Sequence, residues 1–430
     1  MSNVPVLLPG NRAAALERAR RRMGPLFRDN QVLGRRNSIG CVALEITQRC
    51  NLDCTLCYLS ENSERVKDIP LPEVYRRIDR VVEQFGAPTA VQITGGDPTL
   101  RKREELVAIV RYTRERGLLP TLMTNGIKAT RDLLEELAEA GLNDVAFHVD
   151  VTQERKGYAT EADLNPIREE YIERACGIPI AVIFNTTVCR ENFDEIPEMI
   201  RFFRVHADVV GMASFQLQAD TGRGVLRERD RVISLETVRA QIVEGAGIPI
   251  SWDTVLIGHP ACHRIGITLE ANGNLYDLND DPAFFNRFLS DFQHVILDRR
   301  EPRRAVSALL CEVRRQPGIV LQALKFALPK FWKMRRDLLA ARGRVHKLSF
   351  FVQNFMDASA LDPDRIHACS FMVITAHGPV SMCAHNARRD EFILKPLAVR
   401  TGAGQGIWNP LSGVTLPVAP ADPMEGSPSA

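Results

Sequence analysis

Cys50, Cys54 and Cys57 stand in the run Thr47-Gln48-Arg49-Cys50-Asn51-Leu52-Asp53-Cys54-Thr55-Leu56-Cys57-Tyr58, a Cys-x3-Cys-x2-Cys spacing. Cysteine thiolates are the ligands of iron–sulfur clusters. A cubic cluster has one iron more than this loop has sulfurs, which leaves a corner open to a ligand that is not protein. A cofactor held there can receive an electron and do radical chemistry beyond the reach of side chains. Zinc is the competing reading. Structural zinc takes four protein ligands, and no fourth Cys or His lies within the loop. Further along, Gly95-Gly96-Asp97-Pro98 lets backbone approach a ligand closely, although taken alone it reads equally well as a strand-to-helix turn.

The three cysteines, the aromatic Tyr58 beside the third, and Gly95-Gly96-Asp97-Pro98 resemble the motifs of radical S-adenosylmethionine (SAM) enzymes. The resemblance implies a [4Fe–4S] cluster on Cys50, Cys54 and Cys57, with the methionine part of SAM chelating the open iron. Reduction would cleave SAM to a 5′-deoxyadenosyl radical that takes a hydrogen atom from the substrate. It further implies an electron donor such as flavodoxin or ferredoxin. By the same likeness Gly95, Gly96 and Asp97 face the SAM amino group, Asp97 standing where the family has Glu. Thr124 and Asn125 lie near the cofactor, Asn185 reaches its ribose and Arg223 its carboxylate. A solvated Arg and a structural Asn are the plain alternatives for the last two. Asp150, beside His148, ends a strand and has no assigned role.

The elements around these residues alternate. Strand patterns at 41–47, 90–94, 120–124, 144–149, 180–188 and 209–217 are separated by helical periodicity at 71–85, 102–116, 131–140, 166–176 and 196–205. Such alternation implies βαβ units and a parallel sheet. Six strands suit an α/β fold, the partial (β/α)6 TIM-like barrel of the resembled family, with its site at the C-terminal strand ends. We expect residues 1–40 to form a basic N-terminal helix and linker. Residues 41–229 form the barrel, and 230–396 an α+β auxiliary-cluster domain. The Gly-, Pro- and Ser-rich stretch 397–430 is expected to be a disordered tail.

Within 230–396, Cys262 and Cys369 each open a pattern of strand, turn and strand. Gly273 and Gly378 mark the turns. The closing position is Cys383 in the second copy and Leu278 in the first. This is similar to the cysteine hairpins of SPASM or twitch extensions. It implies an auxiliary [4Fe–4S] cluster on Cys262, Cys369 and Cys383, with His263, His385, Asp277 or substrate as fourth ligand. Buried structural cysteines are the alternative. Cys41, Cys176, Cys189 and Cys311 lack partners at useful spacing and read as core residues.

The runs 349–358 and 369–386, with His259-Pro260-Ala261-Cys262, resemble tetraether lipid synthase-like radical SAM proteins. That likeness implies hydrogen abstraction from unactivated lipid carbons. Independently, residues 299–347 hold fourteen Lys or Arg and three acids, with Trp and Phe interleaved between 320 and 339. A basic amphipathic helix of this kind suits a peripheral membrane contact; a solvated helix packed on the barrel is the alternative. A net charge of +2 over 430 residues gives no general drive toward nucleic acid. Ten cysteines and an oxygen-sensitive cluster fit the cytoplasm. A lipid-acting radical SAM oxidoreductase is therefore the leading expectation. A peptide or protein maturase with an electron-accepting auxiliary cluster is the second, and a non-catalytic metal-binding protein the third.

Overall fold

The computed structural model describes residues 40–224, 229, 232–292, 295, 301–401 and 404–417, with Glu17, Arg20, Arg21 and Gly24 before them. Apart from those four, the basic stretch expected to precede the barrel lies outside the described residues.

The alternation holds through the first half. In chain order it runs β1 (Cys41–Thr47), α1 (Leu71–Phe85), β2 (Ala90–Gly95), α2 (Arg103–Glu115), β3 (Leu119–Thr124) and α3 (Arg131–Ala140). It continues with β4 (Asp144–His148), α4 (Asn165–Ala175), β5 (Ala181–Val188), α5 (Ile196–Val205) and β6 (Val210–Leu217). Strand periodicity of two divides each strand between two faces. On β1, Val42, Leu44 and Ile46 are fully buried in the main core, whereas Cys41, Ala43 and Glu45 line the barrel cavity. Helix α1 answers with Val74, Ile78, Val81 and Phe85, an apolar stripe at helical spacing.

The second half contains α6 (Leu235–Ala246), β7 (His263–Ala271), β8 (Asn274–Asp277), α7 (Pro282–Phe292), α8 (Pro302–Arg315), α9 (Gly318–Ala340) and β9 (His346–Asn354). After these come α10 (Pro363–His367), β10 (Phe371–Thr375), β11 (Gly378–Ser381), α11 (Met382–Ala387) and α12 (Arg389–Ile393). Both expected hairpins form, β7 with β8 and β10 with β11. They do not build a sheet of their own. A single eleven-stranded sheet runs β11-β10-β1-β2-β3-β4-β5-β6-β9-β7-β8. Strand β9 lies parallel to β6, and β10 parallel to β1. The physical reason is that β1 and β6, as edges of a six-stranded sheet, would expose unpaired N–H and C=O groups. The C-terminal strands take up both edges, giving eight parallel strands around one cavity.

No ladder joins β9 to β10. Side chains fill that seam instead. The rings of Phe351 on β9 and Phe371 on β10 lie 5.8 Å apart, and His263 at the start of β7 sits 5.6 and 5.4 Å from them.

The tail departs from expectation. β12 (Leu397–Thr401), β13 (Gly404–Trp408) and β14 (Thr415–Pro417) form a three-stranded antiparallel sheet. Leu397, Val399 and Trp408 are buried in the main core, and Lys67 N–H donates to the Pro410 carbonyl at 2.8 Å. Three apolar residues in register outweigh the disorder-prone composition around them. Residues 418–430 lie outside the described residues. Trp408→Ala is expected to lower stability by about 3–5 kcal/mol, read as a shift of the denaturation midpoint; an unshifted midpoint would show that this small sheet does not support the barrel.

Candidate active site

The loop after β1 is pinned from several sides. Gly96 N–H donates to the Thr47 carbonyl (3.0 Å), Asp97 N–H to the Arg49 carbonyl (2.8 Å), and Thr55 N–H to the Thr152 carbonyl (2.9 Å). Tyr58 OH donates to the Gly95 carbonyl at 2.6 Å. A Cβ on Gly95 would stand 1.8 Å from the Thr47 carbonyl oxygen, and one on Gly96 2.0 Å from that of Arg49. Only glycine permits so close a crossing.

Cys50, Cys54 and Cys57 line a cavity of about 380 Å³, together with Tyr58, Gly95, Gly96, Asp97, Thr124, Asn125 and Asn185. Burial raises the pKa of Cys50, and more strongly that of Cys54; the neighbouring sulfurs and acids raise them further. Thiols held this way are poor anions by themselves. Coordination to a cation deprotonates a thiol outright, and three cysteines of one loop lining one cavity are a donor set that fits a metal cluster. Among the described residues no group of three or more His, Cys, Asp or Glu is arranged to hold a single metal ion.

The other expected contacts divide. Asp97 is spent internally. One carboxylate oxygen accepts from Thr99 N–H (3.0 Å) and Thr99 Oγ1 (2.5 Å), the other from Thr124 Oγ1 and Asn125 N–H, both at 2.8 Å. It fixes the 124–126 turn against the 95–99 turn. Asn125 Nδ2 donates to Asn51 Oδ1 at 2.7 Å and lies 3.9 Å from Cys50 Sγ. Asn185 lies on β5 in the cavity wall. Arg223 does not line the cavity. It pairs with Glu64 (3.0 Å) and Asp53 (3.4 Å) and bonds the Cys57 side chain.

Cys262, Cys369 and Cys383 lie within electrostatic reach of one another, and the Cys369 thiol donates to the Phe371 carbonyl at 2.9 Å. The Cys262 carbonyl accepts from Asn354 N–H at the end of β9 (2.7 Å). Cys369 precedes β10, and Cys383 follows Ser381, whose partner is Met372 at the start of β10. All three therefore sit around the seam. Burial pushes the Cys383 thiol up to about 12, with Cys369 and Cys262 adding to it. Burial also raises Cys262, partly offset by Arg365, whose Nε donates to its sulfur at 3.4 Å. Cys383 lines the same cavity as Cys50, Cys54 and Cys57. Of the suggested fourth ligands, His263 lies in the seam, Asp277 accepts from Ser251 and Asn279 N–H, and His385 faces Glu45, Arg389 and Arg77. All ten cysteines are free; Cys41 and Cys189 are buried as expected, but Cys176 and Cys311 are exposed.

Two buried networks were not anticipated. In the first, Arg389 on α12 pairs with Glu45 (2.8 Å), donates to the Tyr58 carbonyl (3.0 Å) and covers the Tyr58 ring (4.7 Å). A charged residue inside the apolar run Cys41–Thr47 was the available signal. Burial alone would raise the Glu45 pKa. The charge of Arg389, with His385 and hydrogen bonds from Arg389 and Gln48, carries it down to about 2. In the second, His148 Nε2 lies 2.6 Å from Asp150 Oδ2 and 3.2 Å from Thr187 Oγ1. Burial opposes charge on His148, yet Asp150 raises its pKa above the usual value, and Asp150 is lowered in return. Beneath them the fully buried Arg168–Glu161 pair supports the strand end, Arg168 donating to the Val149 carbonyl (3.0 Å).

The depressed Glu45 contributes stability above its unfolded value of 4.5 that is lost as pH falls toward 2. Arg389→Met is expected to cost about 3–5 kcal/mol. Glu45→Gln, which cannot titrate, should show less acid destabilisation than the parent across that window, measured by thermal unfolding. Parallel pH profiles would mean that the pair is not coupled to folding.

Residues 44–203 match the family model of the Radical SAM superfamily. The chain is 31% identical over 186 residues to the 7,8-dihydro-6-hydroxymethylpterin dimethyltransferase of Methanocaldococcus jannaschii, covering 42% of this chain and 36% of that protein. It is 28% identical over 180 residues to the PqqA peptide cyclase of Bradyrhizobium diazoefficiens, covering 41% and 46%. A crystal structure of Streptococcus suis SuiB bound to precursor peptide SuiA aligns over 48% of this chain and 46% of that one, with 16% identity and a TM-score of 0.38. The chain thus spans less than half the length of these curated relatives. Residues 44–203 resemble the Radical SAM superfamily, whose members bind a [4Fe–4S] cluster and S-adenosylmethionine.

Proposed function

We propose that this chain is a radical SAM enzyme that abstracts an unactivated hydrogen from an apolar substrate, a lipid chain first among these. The observation that carries the reading is one continuous cavity. It runs from Cys50, Cys54 and Cys57 to Cys383, between walls that include Met123, Ile183, Met212, Phe351, Phe355, Met356, Phe371 and Met382. When bound, the cluster and S-adenosylmethionine supply an electron and a carbon radical able to take a hydrogen atom from an unactivated position.

The chain's own residues hold and shield. Cys50, Cys54 and Cys57 are the ligands, and Arg223 and Asn125 present N–H groups to the sulfur side of the loop. The Gly95–Gly96 crossing brings backbone close to the cofactor, and Asp97 fixes the turn carrying Thr124 and Asn125. The apolar walls exclude water from a reactive intermediate. His148, aligned by Asp150, stands in the cavity wall where it can take or give a proton at an imidazole nitrogen. Cys262, Cys369 and Cys383 form a second, auxiliary cluster site opening on the same space.

A peptide substrate is the second reading. It is favoured by the likeness to a PqqA peptide cyclase and by the amide and hydroxyl groups of Gln92, Thr94, Ser214, Gln216 and Gln353 in the cavity lining, which suit backbone amides.

Anaerobic reconstitution with iron counting tests the assignment. Two clusters correspond to about eight irons per chain and one to about four. Cys54→Ala is expected to abolish deoxyadenosine formation under dithionite. Cys383→Ala is expected to spare that cleavage, lose the second set of irons and yield no product. Deuterated lipid and peptide fractions, offered separately, distinguish the substrates by which one passes deuterium to deoxyadenosine. Normal product from Cys383→Ala would remove the auxiliary site, and deoxyadenosine formation by Cys54→Ala would remove the primary one.

A further inference from the structure

Helix α9 docks through one side and leaves a second row of large apolar side chains exposed on the other. The stripe it turns to the protein is mixed. Phe326 stacks on Phe284 at 4.3 Å. Lys330 Nζ donates to the Asp277 carbonyl at 3.1 Å and pairs with Asp280. Met334 is buried. Asp337 accepts from Asn272 (3.0 Å), Asn274 (2.9 Å) and Tyr276 on the β7–β8 hairpin. At about 100° per residue these positions share one side of the helix. The opposite arc holds Leu321, Leu324, Leu328, Phe331, Trp332 and Leu339. All six are exposed, Trp332 at 68% and Leu339 at 80%. Folding normally buries such residues; here Ile319, Phe326 and Met334 are used for docking together with Lys330 and Asp337, and a second set of apolar side chains is left in solvent.

Cations accompany this arc. Arg335 lies over the Trp332 ring at 4.3 Å, and Lys325 and Arg336 border the arc on the same helix. Helix α8 adds exposed Val306 and Leu310 with Arg303 and Arg314. No described helix is long and apolar enough to cross a membrane. A contiguous exposed apolar patch marks an interaction surface. Its chemistry, large aliphatic and aromatic side chains among Lys and Arg, is that of helices lying in a bilayer interface against anionic headgroups. A second copy of this face would bring like charges together beside the apolar contact. A nucleic acid would leave the six apolar side chains without a partner.

We infer that α9 is a docking surface for an anionic lipid bilayer, with Leu321, Leu328, Phe331, Trp332 and Leu339 entering the headgroup boundary and Lys325, Arg335 and Arg336 pairing with phosphate. The inference is independent of which bond is broken in the barrel, since docking is read without turnover.

Flotation of the full chain, purified anaerobically, with vesicles containing about one third phosphatidylglycerol against pure phosphatidylcholine vesicles tests it. The protein should float with the anionic vesicles at low salt, and less as salt screens the headgroups. The Leu328→Glu, Trp332→Glu double variant should lower the bound fraction at least about tenfold, with unchanged iron content and circular dichroism. Trp252 and Trp408 are buried, so a blue shift of tryptophan emission on vesicle addition, lost in Trp332→Phe, reports entry of that ring. Three results would overturn the inference. One is no flotation at low salt. Another is equal flotation by the double variant. The third is self-association, or binding to nucleic acid, abolished by the same substitutions in a protein that ignores vesicles.

Discussion

Sulfur has to be an anion to hold iron, and this protein keeps its sulfurs where anions are unwelcome. Burial raises the thiols at Cys50, Cys54, Cys262 and Cys383. Much of the surrounding architecture makes sense as support for that arrangement. The crossing at Gly95 and Gly96, the Asp97 hub and the Arg389–Glu45 pair all hold the loop from outside, leaving the sulfurs free to face inward.

The first six strands were legible because each has a period of two and is followed by a helix with a period of 3.6. What could not be read was which strands would finish the barrel. Strand β10 pairs with β1 across some 330 residues, Cys41 facing Phe371, and nothing in the local pattern of either strand names the other. Composition also misled at the tail, where Gly and Pro outnumber the few apolar positions that decide burial. Leu397, Val399 and Trp408 are in register only once β12 and β13 pair.

The site shows the same division. Cysteine spacing is local and was read directly. Contacts spanning the chain were not: Arg389 reaches Glu45 over 344 residues. Arg223, expected to face the cofactor, is not in the cavity lining; it pairs with Glu64 and Asp53 and bonds the Cys57 side chain. Asp97 occupies the expected place, but its oxygens serve Thr99, Thr124 and Asn125. An acidic residue in a motif can organise a site without meeting the ligand.

The gap between β9 and β10 has a further consequence. Cys262 belongs to one lip of that gap, Cys369 and Cys383 to the other, and between the lips there are aromatic rings in place of backbone hydrogen bonds. A cluster bridging the three sulfurs would act as a clasp on the wall of the reaction chamber. Loss of such a clasp would leave that seam held by the rings of Phe351, Phe371 and His263 alone.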